Sequence, residues 1–185
     1  MIENELKFML SHEQFNQVKK ILSKRYGASS CKVQINYYYD SNNFSMLHFG
    51  NSLRVRQKDN NISIEYKCKK TVSEGIRKCE EFKKKILHFP YTIVLSKELS
   101  IDDDKVYNYI GNLITERTNF KIGSAVVSLD KNYYLGKIDY ELEIESRNSE
   151  TIKNIQNLIA SNLPINNMGK YKRFYNVFSD WSKEQ

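Results

Sequence analysis

Asp139, Glu141, Glu143 and Glu145 occupy alternate positions in the run Asp139-Tyr140-Glu141-Leu142-Glu143-Ile144-Glu145. In a β-strand alternate side chains share a face, so the four carboxylates would line one side and Tyr140, Leu142 and Ile144 the other. Carboxylates this close repel one another unless cations sit among them, either metal ions or Lys and Arg from neighbouring strands. The same alternation puts Glu3, Glu5 and Lys7 on one face near the start of the chain, and Arg54, Arg56 and Lys58 on one face of Ser52 to Lys58. Carboxylate oxygens suit Mg²⁺ or Mn²⁺, such ions bridge phosphate oxygens, and Arg and Lys neutralise the charge that develops in phosphoryl transfer. Metal also orients or activates water as a nucleophile.

A sheet with one face in water explains charge on alternate residues but not sorting by sign. Solvated faces usually mix signs and carry Ser, Thr and Gln, whereas these strands have uniformly anionic or uniformly cationic faces. A sheet closed into a barrel would turn both kinds of face inward and give a lumen with acidic and basic walls, suited to a polyphosphate with divalent metal.

The elements that must position these residues follow from local pattern. Ser11-His12-Glu13-Gln14 reads as a capping box opening a helix with Phe15, Val18, Leu22 and Tyr26 on one stripe, and Gly27 as a left-handed stop. Residues Lys32 to Asp40 are rich in β-branched and aromatic types and predict a strand. Asp59-Asn60-Asn61 turns the Ser52–Lys58 strand into Ile62 to Lys69, a hairpin that places Glu65, Lys67 and Lys69 on the face of Arg54 and Arg56. After Gly75 a strand runs from Ile76 to about His88 with Arg77, Cys79, Glu81, Lys83 and Lys85 in one phase. Ser100-Ile101-Asp102-Asp103-Asp104 predicts a capped helix start, with Val106, Ile110, Leu113 and Ile114 on its stripe. Strand returns from Arg117 to Asp130, Asn132 to Lys137 forms a turn or short strand, and the acidic strand follows. Ser149 caps a helix carrying Ile152, Ile155, Leu158, Ile159 and Leu163 that Pro164 stops, and the tail from Met168 to Tyr175 is basic and aromatic. The sum is roughly eight strands and three or four helices in one mostly antiparallel α+β domain spanning 1–185.

Composition agrees with this class. The chain has 185 residues, enough for a real core, with 40% hydrophobic and 28% charged residues. A net charge of +7 points to anionic partners in general. Cys31, Cys68 and Cys79 form no CxxC pair, which argues against a disulfide framework or zinc cluster and for a reduced, cytoplasmic setting. No apolar run approaches the ~20 residues that span a bilayer, and Glu3 and Glu5 stand where a signal peptide would carry basic residues, so no membrane association is expected.

Glu3-Asn4-Glu5-Leu6-Lys7 resembles the ExExK motif of the CYTH superfamily, the triphosphate tunnel metalloenzymes. Leu53-Arg54-Val55-Arg56, Glu65-Tyr66-Lys67-Cys68-Lys69, Leu135-Gly136, Tyr140 to Glu145 and the Lys170 to Arg173 tail fall in that family's order, so the resemblance covers nearly the whole chain. It implies an eight-stranded antiparallel closed β-barrel, a tunnel, with flanking helices. It further implies a divalent-metal-dependent hydrolase that removes the terminal phosphate from a small triphosphate: inorganic tripolyphosphate, thiamine triphosphate or a nucleoside triphosphate. The resemblance makes Glu3, Glu5, Glu141 and Glu143 metal ligands, with Asp130 or Glu81 assisting. Lys7, Arg54 and Arg56 would be catalytic, and Lys67, Lys69, Arg117, Lys170 and Lys172 would bind substrate. Cys79 stands where many members carry Arg or another polar residue, and Gly169 where many carry Ser.

Two other readings fit parts of the pattern. A class IV type adenylate cyclase would use the same triphosphate and metal contacts. A non-catalytic module for polyphosphate or RNA would use Lys83 to Lys85 and Lys170 to Arg173 with nearby Tyr and Phe, although a nucleic-acid surface has no use for clustered carboxylates.

Overall fold

A computed structural model of the chain describes residues 2–27, 30–166 and 168–183. Its elements in order are β1 Ile2–Leu10, α1 His12–Tyr26, β2 Lys32–Asp40, α2 Ser45–His48, β3 Ser52–Lys58, β4 Asn61–Ser73, β5 Ile76–Ile86, β6 Thr92–Val94, α3 Leu95–Leu99, β7 Val106–Ile122, β8 Ala125–Tyr134, β9 Lys137–Ser146, α4 Ser149–Ile159 and α5 Lys170–Lys183. Eight antiparallel strands in the order β2-β3-β4-β5-β1-β9-β8-β7 close into a barrel because β7 pairs back onto β2. The short β6 adds a ninth strand on the early part of β7.

The barrel keeps its charges inside and its apolar residues outside. Leu6, Phe8, Leu142 and Ile144 are fully buried on the outer face, packed with Phe15, Val18 and Leu22 of α1 and Ile152 and Ile155 of α4. A second apolar cluster joins Leu53, Val55 and Ile64 to Ile93 and Leu95, and includes Tyr38, Leu113, Tyr134, Tyr171 and Phe174. Each fully buried Leu or Phe contributes about 1.5–3 kcal/mol, so the helices hold the sheet in register from outside while polar residues occupy the lumen.

Helix α5 closes one end. Phe174 is fully buried and contacts the rings of Tyr38 and Tyr134, and a Cβ on Gly111 would come within 2.5 Å of Phe174 Cζ. The bare backbone of β7 at Gly111 therefore makes the seat for this ring.

Several local expectations are corrected. Residues 100–114 do not form the expected helix: α3 lies earlier, and Val106 to Ile114 belong to β7. Asp103 and Asp104 instead fold a turn in which Ser96 N donates to Asp103 O at 3.1 Å and Tyr107 Oη donates to Asp103 Oδ2 at 2.6 Å. The stretch from Arg117 to Asp130 is interrupted by a turn at Gly123, whose φ is +58°. Asn148, not Ser149, is the N-cap of α4, accepting from Glu150 N at 2.8 Å, and the helix ends at Ile159, before Pro164. The capping box at Ser11 and Gln14 is formed, but Gly27 has φ 78° and ψ 157°, a positive φ outside the left-handed helical region. No helix among the described residues is long and apolar enough to cross a membrane.

Candidate functional site

The strand registers bring the charged faces to one cavity of about 370 Å³. Lys7 pairs with Glu143 and Glu5 with Glu145 across β1 and β9, Arg117 with Asp130 across β7 and β8, and Arg54 with Glu65 across β3 and β4. Of the residues singled out above, Glu3, Glu5, Lys7, Arg54, Arg56, Lys67, Lys69, Arg117, Glu143, Lys170 and Lys172 line the cavity. Asp130 and Glu141 do not; they stand behind it, fully or nearly fully buried.

Three of the four carboxylates on β9 are neutralised by cations from three other elements, β1, β7 and α5, as their repulsion requires. Lys7 and Arg117 both contact Glu143. Lys170 Nζ lies 2.8 Å from Asp130 Oδ2 and 3.1 Å from Glu141 Oε2. Arg117 grips Asp130 through Nε and Nη2 at 2.7 and 2.6 Å. Arg173 Nε donates to Asp139 Oδ2 at 2.8 Å and its Nη2 reaches Glu141. Burial alone would raise the Asp130 and Glu143 pKa values, but these cations outweigh it: Arg117 and Lys170 lower Asp130, and Lys170, Lys7 and Arg117 hold Glu143 well below the carboxylate range. Glu5 is likewise lowered to about 2, against its burial, by Lys7 and Lys67.

Two groups are left short of opposite charge. Glu145 has no ion-pair partner among the described residues, and burial together with Glu143 raises its pKa. Arg56 is pushed down to about 10 by burial and by Arg54, with Glu65 compensating only in part. One carboxylate thus lacks an ion-pair partner among the described residues, and one guanidinium shares its anion, Glu65 at 3.2 Å, with Arg54, in the same cavity.

Glu5, Glu143 and Glu145 can each offer an oxygen within 4.8 Å of the others, a spacing suited to a shared cation. Sequence reasoning placed Glu145 on the acidic face but left it out of the ligand set. It also passed over Arg173 and Arg77. Lys170 and Arg173 are three apart, and on a helix that spacing marks one face; reading the tail without a helix hid that signal. Arg77, Cys79 and Glu81 share the inward phase of β5 and line the cavity. Cys79 is buried with Sγ 3.8 Å from Glu5 Oε1, and burial and that carboxylate raise its pKa. Gly169 lies where a Cβ would come within 3.2 Å of Arg77 Nη1.

A closed antiparallel barrel with an inward-facing set of carboxylates and cations defines a narrow class of protein. The chain belongs to the CYTH domain family, whose pattern matches residues 1–175. It is similar to YjbK of Bacillus subtilis (strain 168), named as a candidate triphosphatase, with 27% identity over 153 residues covering 78% of this chain and 77% of YjbK. A crystal structure from Bacillus halodurans, named as a candidate adenylate cyclase, matches with a TM-score of 0.71 at 25% identity, covering 92% of this chain and 96% of that one. HpAC1 from Hippeastrum, described as a candidate adenylyl cyclase with a dominant triphosphatase activity, shares the fold with a TM-score of 0.72 at 18% identity over 95% of each chain.

Proposed function

We propose that this protein is a divalent-metal-dependent hydrolase that removes the terminal phosphate from a small triphosphate held in the barrel. The observation that carries this reading is the division of one cavity into a carboxylate side, with Glu5, Glu143 and Glu145 on β1 and β9, and a cationic side, with Arg54 and Arg56 on β3 across the barrel. The names of YjbK and HpAC1 support the reaction class.

Glu5, Glu143 and Glu145 would hold Mg²⁺ or Mn²⁺, with Glu3 beside them. The fit rests on their carboxylate oxygens and on the uncompensated charge of Glu145. A divalent metal held by these carboxylates would supply Lewis acidity toward the phosphates and an activated water. Lys7, Arg54, Arg56, Lys67, Arg117 and Lys170 bind the triphosphate oxygens and offset the charge that develops on them, in a site where burial strengthens each contact. Asp130 and Glu141, held behind the cavity by Arg117, Lys170 and Arg173, act in this reading by fixing those cations. The inorganic, thiamine and nucleoside triphosphates all present the group that these residues would recognise.

The cyclase reading draws on the Bacillus halodurans structure. The two are separated by products: incubation with ATP, tripolyphosphate and thiamine triphosphate, each with Mg²⁺ or Mn²⁺, yields free phosphate if the protein is the hydrolase. Cyclic AMP and pyrophosphate without free phosphate would move the assignment to cyclase, and no product from any combination would overturn both. The RNA-binding reading loses half of its tail by placement, because Lys170 and Arg173 are buried inside the barrel rather than displayed to a strand, and of the cations it would use only Lys172 and Lys83, Lys84 and Lys85 on β5 are exposed.

A further inference from the structure

The cavity's cations fall into two groups. Deep inside, Lys7, Arg54, Arg56, Lys67, Arg117 and Lys170 each have a carboxylate oxygen within 3.2 Å. At the opening the situation differs. Gly50, Lys69, Met168 and Lys172 are the exposed residues among those lining the cavity, so they mark its mouth. Lys69 and Lys172 have no ion pair among the described residues, and Arg77 has only a 3.7 Å contact with Glu5 Oε1.

Bare backbone accommodates two of these three cations. Gly50, at φ +71°, would carry a Cβ 3.3 Å from Lys69 Cδ, and Gly169 one 3.2 Å from Arg77 Nη1. Lys69 pairs with Cys79 in the β4–β5 ladder, and Arg77 is the next inward residue of β5, so the two cations are neighbours on the barrel wall. Lys172 lines the same cavity from α5. Two positive groups without ion pairs among the described residues at the rim of a pocket, and a third just inside it with a single 3.7 Å contact to a carboxylate, concentrate anions there.

We infer that Lys69, Arg77 and Lys172 form an outer anion subsite that takes the fourth phosphoryl group of a linear polyphosphate whose last three phosphates occupy the inner cations. The inference rests on the triphosphate reading of the inner cavity. A polyanion is favoured over a nucleoside at this mouth because the aromatic rings lining the cavity, Tyr38 and Tyr171, are both buried and packed against each other at a tilt, with centroids 4.8 Å apart. Tyr171 also donates its hydroxyl to Asp40 Oδ2 at 2.6 Å, so neither ring is free to hold a base.

The test compares linear tripolyphosphate with linear tetrapolyphosphate, by calorimetric binding and by steady-state turnover with Mg²⁺. The proteins are the wild type, Lys69→Met/Lys172→Met and Arg77→Met. Wild type is expected to bind the longer chain about tenfold more tightly, two or three partly exposed charge contacts being worth about one factor of ten together. In the double variant that preference should fall toward unity, and in Arg77→Met it should fall in part. A preference unchanged by the substitutions, an equal loss for both chains, or no preference in wild type would overturn the subsite. Absence of turnover with a retained binding preference would instead strike the hydrolase reading and leave the subsite standing.

Discussion

Lys170 Nζ lies 2.8 Å from Asp130 Oδ2, which carries the first residue of α5 into the interior of the barrel. The helix is therefore part of the cavity wall as well as a stopper. Its polar side is bound at Asp130, Asp139 and Asp40, and its apolar side by the seat of Phe174 over Gly111.

Lys170→Met should keep the fold, because Asp130 remains held by Arg117 and Glu141 by Arg173, while removing one inner cation. Phosphate release from tripolyphosphate is expected to fall by about 10²-fold, the usual scale for losing one preorganised charge contact. A variant as active as wild type would remove Lys170 from the binding set.

Arg173→Met breaks a buried guanidinium away from both Asp139 and Glu141. The expected loss is about 3–5 kcal/mol in urea denaturation, because buried Glu141 and half-buried Asp139 lose their shared partner. Arg173→Lys should recover only part, since an ammonium cannot span both acids as a planar fork does. A loss within about 0.5 kcal/mol would show that α5 is held by apolar packing alone.

Gly111→Ala places a methyl group where Phe174 now sits. Overpacking of this kind costs about 1–3 kcal/mol, and combining it with Phe174→Leu should recover part of the loss. Strict additivity of the two changes would contradict the contact.

Glu65 supplies a pH test away from the carboxylate trio. Burial would raise its pKa, but Arg54 and Arg56 outweigh burial and hold it well below the carboxylate range. A depressed folded pKa gives stability that is fully present above the unfolded value of about 4.3 and is lost as pH falls through the folded one. Denaturation midpoints of wild type and Glu65→Gln should therefore differ most near pH 6, and the gap should narrow progressively as the pH falls below about 4. A gap that stays constant with pH would sink this account.

Much of the site was legible because the barrel is built with its charges inward. Period-two alternation reports one strand face at a time, and Glu3, Glu5, Lys7, Arg54, Arg56, Lys67, Arg117 and Glu143 each lie on an inward face and line the cavity. The misread segment is β7, and its cause is local. Tyr38 pairs with Gly111 but Tyr39 with Tyr109, so a bulge at Ile110 flips the phase of the strand. Across that flip Val106, Ile110, Leu113 and Ile114 acquire helix-like spacing although the backbone is extended. Arg173 escaped notice for a related reason, since its inward direction depends on a helical period in a tail that offered no cap. The roles of Asp130 and Glu141 depend on depth, and alternation gives the face of a residue but not how far behind the cavity wall it stands.

The most direct test of the central claim is phosphate release from tripolyphosphate by wild type and Glu143→Gln, each with Mg²⁺ and with chelator, beside thermal melts of both proteins. Glu143 is contacted by Lys7 and Arg117 and shares the carboxylate trio, so its charge is required by both halves of the site. The account predicts turnover that needs metal and falls at least about 10²-fold in a folded Glu143→Gln protein. Metal-independent turnover, or a folded variant that retains full activity, would contradict it.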